Sequence, residues 1–165
     1  MFVRMPSSTH KVFLEQVKDA IWSQLKAIRG GTGKTARFAQ DVASGRSSQL
    51  EYPAYGKSKN EPDAIYWHRK ARYPGVIIEV AYSEKKKNLA RLADNYILNS
   101  DATIQAVIGL DIEYGKKASR KATLSVWRPR LTNTADGLEL SSVEEVSDAV
   151  GRANSFLTFD PGAVI

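Results

Sequence analysis

An α/β (α+β) domain, with a central mixed sheet of four or five strands flanked by two main helices, is predicted by three observations. Residues 10–28 and 84–97 repeat apolar side chains at three- and four-residue steps. Residues 47–52, 62–67, 75–83, 103–114 and 122–128 are rich in β-branched and aromatic residues or alternate apolar with polar. The chain of 165 residues is long enough for one real core, and its 42% hydrophobic and 25% charged content is that of a globular domain. Residues 1–165 therefore read as a single domain, with the core in about 10–130 and a packing extension over 131–165.

In the first predicted helix, Leu14, Val17, Ile21, Leu25 and Ile28 form one stripe, Ser8 or Thr9 caps the start, and Gly30-Gly31 stops the end. The run Gly30-Gly31-Thr32-Gly33-Lys34-Thr35 is not a phosphate-binding loop, because the glycine required five residues before Gly33 is Ile28 and a helix precedes it. It reads as a connector from which Lys34 can touch a nucleic-acid phosphate. Phe38 and Val42 suggest a short helix over 36–43, followed by the first strand at 47–52 and a polar, basic loop.

Strands at 62–67 and 75–83 are joined by the polar loop 68–74. Ser83 caps a second helix whose Leu89, Leu92, Ala93 and Tyr96 share a face, and Asn99-Ser100-Asp101 closes it. Residues 103–114 place Ile104, Ala106, Ile108, Leu110 and Ile112 on one side. After a basic turn, 122–128 is the returning strand. Ser142-Val143-Glu144-Glu145 is a capping box, which predicts a helix to about Arg152, and 156–159 reads as a short edge strand.

The chemistry centres on Asp63 and Glu79. Folding the hairpin about Ala71, the midpoint of its loop, sets Asp63 directly opposite Glu79, with Cβ atoms roughly 4.5–5.5 Å apart. A slip of one residue would send them to opposite faces. Two carboxylates so placed repel, and Mg²⁺, which accepts one or two carboxylates plus waters and phosphate oxygens, is the ordinary remedy. Glu79 lies between Ile78 and Val80, where a carboxylate is costly without a partner. The plain alternatives are a strand-start turn residue for Asp63 and a rim carboxylate paired with Arg or Lys for Glu79.

Pro62-Asp63 at the head of one strand and Glu79 within an apolar second strand, in this order of helices and strands, resemble the PD-(D/E)XK nuclease superfamily over roughly residues 12–129. The resemblance implies a restriction-endonuclease-like fold and a metal-dependent nuclease that hydrolyses phosphodiester bonds in DNA or RNA. It makes Asp63 and Glu79 the ligands of Mg²⁺ or Mn²⁺, and expects a water-activating lysine two residues after the Glu. That position is Ala81. A small residue leaves room for a lysine from elsewhere, and Lys85, on the inward face of the following helix, is the first candidate. Lys86 and Lys87 are candidate phosphate contacts. In some members a first-helix acid joins the metal, which makes Glu15 a further ligand candidate, against the plain reading of a solvated helix glutamate. The alternative function, favoured by Ala81, is a catalytically inactive nuclease-fold module that binds nucleic acid or a protein partner. Pairing into a homodimer is a further implication of the resemblance.

The net charge of +6 and pI near 9.5 suit nucleic acid or an anionic membrane surface, and only together with the resemblance do they make nucleic acid the expected partner, with DNA ahead of RNA. No run approaches the ~18 apolar residues that span a bilayer, so no membrane partner is expected. Met1-Phe2-Val3-Arg4-Met5-Pro6 has no apolar core of secretory length, so no signal peptide is expected. The absence of cysteine excludes disulfides, thiolate zinc sites and thiol nucleophiles, and fits an intracellular protein. His10 and His68 are too few and too separated for a zinc site or a Ser-His-Asp arrangement, and His68 is expected exposed in its loop. Trp67, Trp127, Tyr66, Tyr73 and Tyr82 are expected to pack in the interior.

Overall fold

The apolar stripes and alternating runs become three helices and eight strands in the computed structural model, which describes residues 8–45, 50–51, 59–82, 86–114 and 120–151. In chain order these are α1 (Ser8–Arg29), α2 (Lys34–Gln40), β1 (Val42–Gly45), β2 (Leu50–Glu51), β3 (Lys59–Asn60), β4 (Ala64–His68), β5 (Val76–Tyr82), α3 (Lys86–Asn99), β6 (Ala106–Tyr114), β7 (Arg120–Thr134) and β8 (Gly137–Gly151). The class is α+β. A six-stranded mixed sheet has the order β1-β4-β5-β6-β7-β8, and β2 and β3 form a separate pair. Only β5 and β6 run parallel in it, joined through α3, since parallel neighbours need a crossover. Among the described residues no helix is long and apolar enough to cross a membrane.

Alternation along the strands divides the core between two faces. On one, Leu89, Ala93, Tyr96 and Ile97 of α3 pack against Ile65, Ile77, Val107 and Trp127. On the other, Phe13, Leu14, Val17 and Ile21 of α1 pack against Tyr66, Ile78, Val80 and Leu110. Gly109 makes the first face possible at its centre. A Cβ there would lie 2.6 Å from Trp127 Cζ3 and 3.2 Å from Leu89 Cδ1, so only glycine lets the indole lie across β6.

Three expectations are corrected. The main sheet has six strands, not four or five, because β1 and β8 join its two edges. The short helix spans Lys34–Gln40, and Val42, expected as its last apolar contact, instead opens β1 opposite His68. The Arg29 guanidinium helps hold this bend by donating to the carbonyls of Ala39, at 2.8 Å, and of Val42. Of the strand expected at 47–52, Leu50–Glu51 is strand, paired with Lys59–Asn60 apart from the main sheet, and the rest lies outside the described residues. Residues 142–151 are strand, not helix. Asp136-Gly137 is a hairpin turn signal, Gly137 has φ 125°, and the ladder it starts pairs Thr134 with Gly137 through to Lys121 with Gly151. That ladder outweighs a local capping box. The edge strand expected at 156–159 lies outside the described residues.

β7 outruns its other neighbour, since β6 pairs with it only as far as Trp127. Residues 128–134 therefore pair only with β8 as a two-stranded ribbon, with Leu131 and Leu138 exposed.

The face under α1 carries a pH-dependent contact. The Tyr66 hydroxyl donates to the Lys18 carbonyl at 3.3 Å. Burial, then the negative charges of Asp19 and Glu15, pushes its pKa from 10.0 up to about 12. The folded state thus holds this proton more tightly than the unfolded chain. Its contribution to stability is complete below pH 10 and is lost as pH rises toward 12. Tyr66→Phe is expected to flatten the fall of the urea midpoint across that window. An identical fall in both proteins would assign it to other groups.

Candidate functional site

The loop between β4 and β5 determines what the two strands oppose. Its ends are fixed by Gly75 N–H donating to the Tyr66 carbonyl at 3.0 Å, and the register is Ala64 with Ile78, Ile65 with Ile77 and Tyr66 with Val76. This is the register obtained by folding about Ala71. Continued by one residue, it carries Asp63 to the position opposite Glu79.

Each carboxylate is oriented by a group of known identity. Asp63, half-buried at the head of β4, accepts from the Val80 N–H through Oδ2 at 2.8 Å. Glu79 is only 3% exposed and sits on the α3 face with Ile77 and Ala81. Its Oε1 accepts from the Tyr96 hydroxyl at 2.6 Å, a charge-assisted length for an O–H donor to a carboxylate. Tyr96 is itself fully buried in α3, so the donor cannot swing away without opening the core.

A third acid lies on the same face. The parallel register pairs Glu79 with Gly109 and Ala81 with Asp111, so Asp111 stands beside the small Ala81 and diagonally from Glu79. Asp111 is 4% exposed. Neither Tyr96 nor Asp111 was expected in the site. The sequence pattern marks Tyr96 only as part of an apolar helix face, and Asp111 lies on the strand side opposite Ile108, Leu110 and Ile112. Their signal was available: Gly109 and Asp111 alternate with Ile108, Leu110 and Ile112, and share parity with the face that packs on α3.

Other candidates stand elsewhere. Glu15 is on α1, which covers the opposite face of the sheet, and its exposed carboxylate accepts from Lys18 Nζ at 2.8 Å. The structure does not bring it to Asp63 and Glu79, because α1 and α3 pack on different sides. Lys85 lies outside the described residues. Lys86 and Lys87 begin α3, with their side chains outside the described residues. Lys34 begins α2 and is exposed. A groove of about 600 Å³, lined by Val17, Ile21, Leu25, Ile108, Leu110 and Leu124 among others, lies on the α1 face, away from the acids. Its apolar walls offer no chemistry to a phosphate.

His68 is not an exposed loop residue. It ends β4, is half-buried, stacks on Phe38 with ring centroids 4.6 Å apart, and faces Asp41 Oδ2 across 3.9 Å from its Nε2.

No protein-family model, curated protein or solved structure matches this chain. What the site can do therefore rests on its own groups. Among the described residues, no set of three or more His, Asp or Glu side chains is grouped to hold a metal ion. The donor set that remains is the opposed pair of Asp63 and Glu79. Two hard carboxylates, one half-buried and one held in place by a buried phenol, suit Mg²⁺ or Mn²⁺ completed by water and phosphate oxygens, and do not suit a softer ion that needs an all-protein cage.

Proposed function

We propose that this protein is a metal-dependent nuclease with a restriction-endonuclease-like fold, acting on phosphodiester bonds of DNA or RNA. The observation that supports the reading is the β4–β5 register, which, continued by one residue, would bring Asp63 opposite a buried Glu79 that accepts from the Tyr96 hydroxyl. A glutamate buried on an apolar strand face and held by a buried phenol is the cost expected of a working group. The basic surface, net +6, supports a polyanionic substrate.

Asp63 and Glu79 would hold Mg²⁺ or Mn²⁺. When bound, such an ion polarises the scissile phosphate and lowers the pKa of a bound water. The chain's part is to fix the ligands. The Val80 N–H sets one oxygen of Asp63, and the Tyr96 hydroxyl sets one oxygen of Glu79.

Ala81 favours a second reading, a nuclease-fold module that binds nucleic acid or a protein partner without cutting. Incubating plasmid and single-stranded substrates with the protein in Mg²⁺ or Mn²⁺ separates the two. Cleavage that stops on chelation supports the nuclease. Intact substrate, with salt-sensitive binding retained, supports the module.

A further inference from the structure

At the end of β4 remote from Asp63, the fold assembles a surface that the acidic pair does not use. We infer that α2 and the β4–β5 loop form a stacking platform for unpaired bases, a single-stranded nucleic-acid site centred on Phe38. Phe38 is 60% exposed. A lone exposed apolar side chain needs no explanation. This one is different, because its ring is held nearly parallel to His68, at an interplanar angle of 17° and a centroid distance of 4.6 Å.

The support behind that ring is fixed from both sides. His68 Nδ1 accepts from the Lys70 N–H at 3.3 Å, which leaves Nε2 to carry the proton toward Asp41. The backbone clips α2 to β4. Asp41 N–H donates to the Phe38 carbonyl at 3.1 Å, and Arg69 N–H donates to the Asp41 carbonyl at 3.0 Å. An imidazole thus closes one side of the Phe38 ring, while the ring keeps 60% of its surface in water.

The charge around it has one sign. Lys34, Arg37, Arg69, Lys70 and Arg72 are all exposed, and Lys34 lies one helical turn before Phe38. Across residues 31–41 and 66–76 the only acid is Asp41, which faces His68. Exposed cations on α2 and directly after His68, beside a presented aromatic ring, match the chemistry of a backbone-tracking, base-stacking site. A protein interface is less well matched, since charged residues are depleted at interface cores. Paired bases hide their faces in the stack, so the platform selects unpaired ones.

His68 and Asp63 are five residues apart on one strand, about 17 Å, so platform and acidic pair can be tested apart. The platform serves the nuclease and the non-catalytic module equally. The test is fluorescence anisotropy of a labelled 12-nucleotide single strand, in chelator, over a range of salt. Phe38→Ala is expected to bind about ten-fold more weakly with an unchanged salt slope. Phe38→Trp should bind at least as well as the parent. Replacing Arg37, Arg69 and Lys70 together by alanine should reduce the slope of log K against log salt by about 2. Because all four side chains are exposed, circular dichroism and melting of these variants should match the parent. Parental affinity in Phe38→Ala, equal binding of the same sequence as duplex, or no binding by the parent would each overturn the platform. Absent cleavage with the Phe38 effect intact would count against the nuclease alone.

Discussion

Asp63→Asn and Glu79→Gln are each expected to lower metal-dependent phosphodiester cleavage by about a thousand-fold or more. Electrostatic stabilisation by a bound ion is worth several kcal/mol at the transition state, and each 1.36 kcal/mol is a factor of ten. The amides are chosen over alanine because they keep what the fold requires. An Asn oxygen can still accept from the Val80 N–H, and a Gln oxygen can still accept from the Tyr96 hydroxyl. Both variants should therefore fold, and what they lose is a carboxylate charge. Millimolar Mg²⁺ or Mn²⁺ should raise the melting temperature of the parent, since a ligand bound only by the folded state stabilises it, and should do so far less in either amide variant. Cleavage that survives both substitutions would place the chemistry at another site or in a contaminant.

Tyr96→Phe should destabilise the fold by about 2–3 kcal/mol, the range for losing a hydrogen bond to a carboxylate that stays buried. For a chain of 165 residues this lowers the melting temperature by roughly 5–10 °C. The ring still fills its place between α3 and the sheet, so the loss reports on the hydroxyl and not on a cavity. Combining it with Glu79→Gln should shrink the penalty, because a neutral amide needs the donor less than a carboxylate does. Urea denaturation of the four proteins measures this coupling. A loss below about 0.5 kcal/mol, the size of an ordinary surface substitution, would mean that Glu79 is oriented by something other than Tyr96. Cleavage by Tyr96→Phe should fall by about 10–100-fold, the range for a residue that positions a ligand without touching substrate.

Much of the architecture could be read from local pattern. The stripe of Leu14, Val17 and Ile21 and that of Leu89, Ala93 and Tyr96 each describe a helix with one buried face, and each helix does bury it on the sheet. The β4–β5 register was also legible, because folding about Ala71 gives the observed pairing of Ala64 with Ile78, Ile65 with Ile77 and Tyr66 with Val76. Where local signals competed, pattern misled. Ser142-Val143-Glu144-Glu145 caps a helix as well as any sequence can, yet the Asp136-Gly137 turn delivers these residues to a waiting strand. A long ladder adds backbone hydrogen bonds and cross-strand contacts at every step, whereas a cap contributes about 1 kcal/mol once.

The remaining features depend on neighbours distant in sequence. Glu15 had the right residue type, but the side of the sheet on which α1 packs removes it from Glu79. Asp111 comes beside Ala81 only through the parallel pairing of β5 with β6. The Phe38–His68 stack needs α2 and the end of β4 to be clipped together across some thirty residues of chain. Periodicity reports which side of an element is apolar, because that depends on side chains a few residues apart. It is silent about which elements meet, because that is settled when separate apolar faces compete to be buried. The two long helices, the strands β4 to β7 and the β4–β5 register belong to the first kind of information. The third acid, the phenol that holds Glu79 and the basic aromatic platform belong to the second.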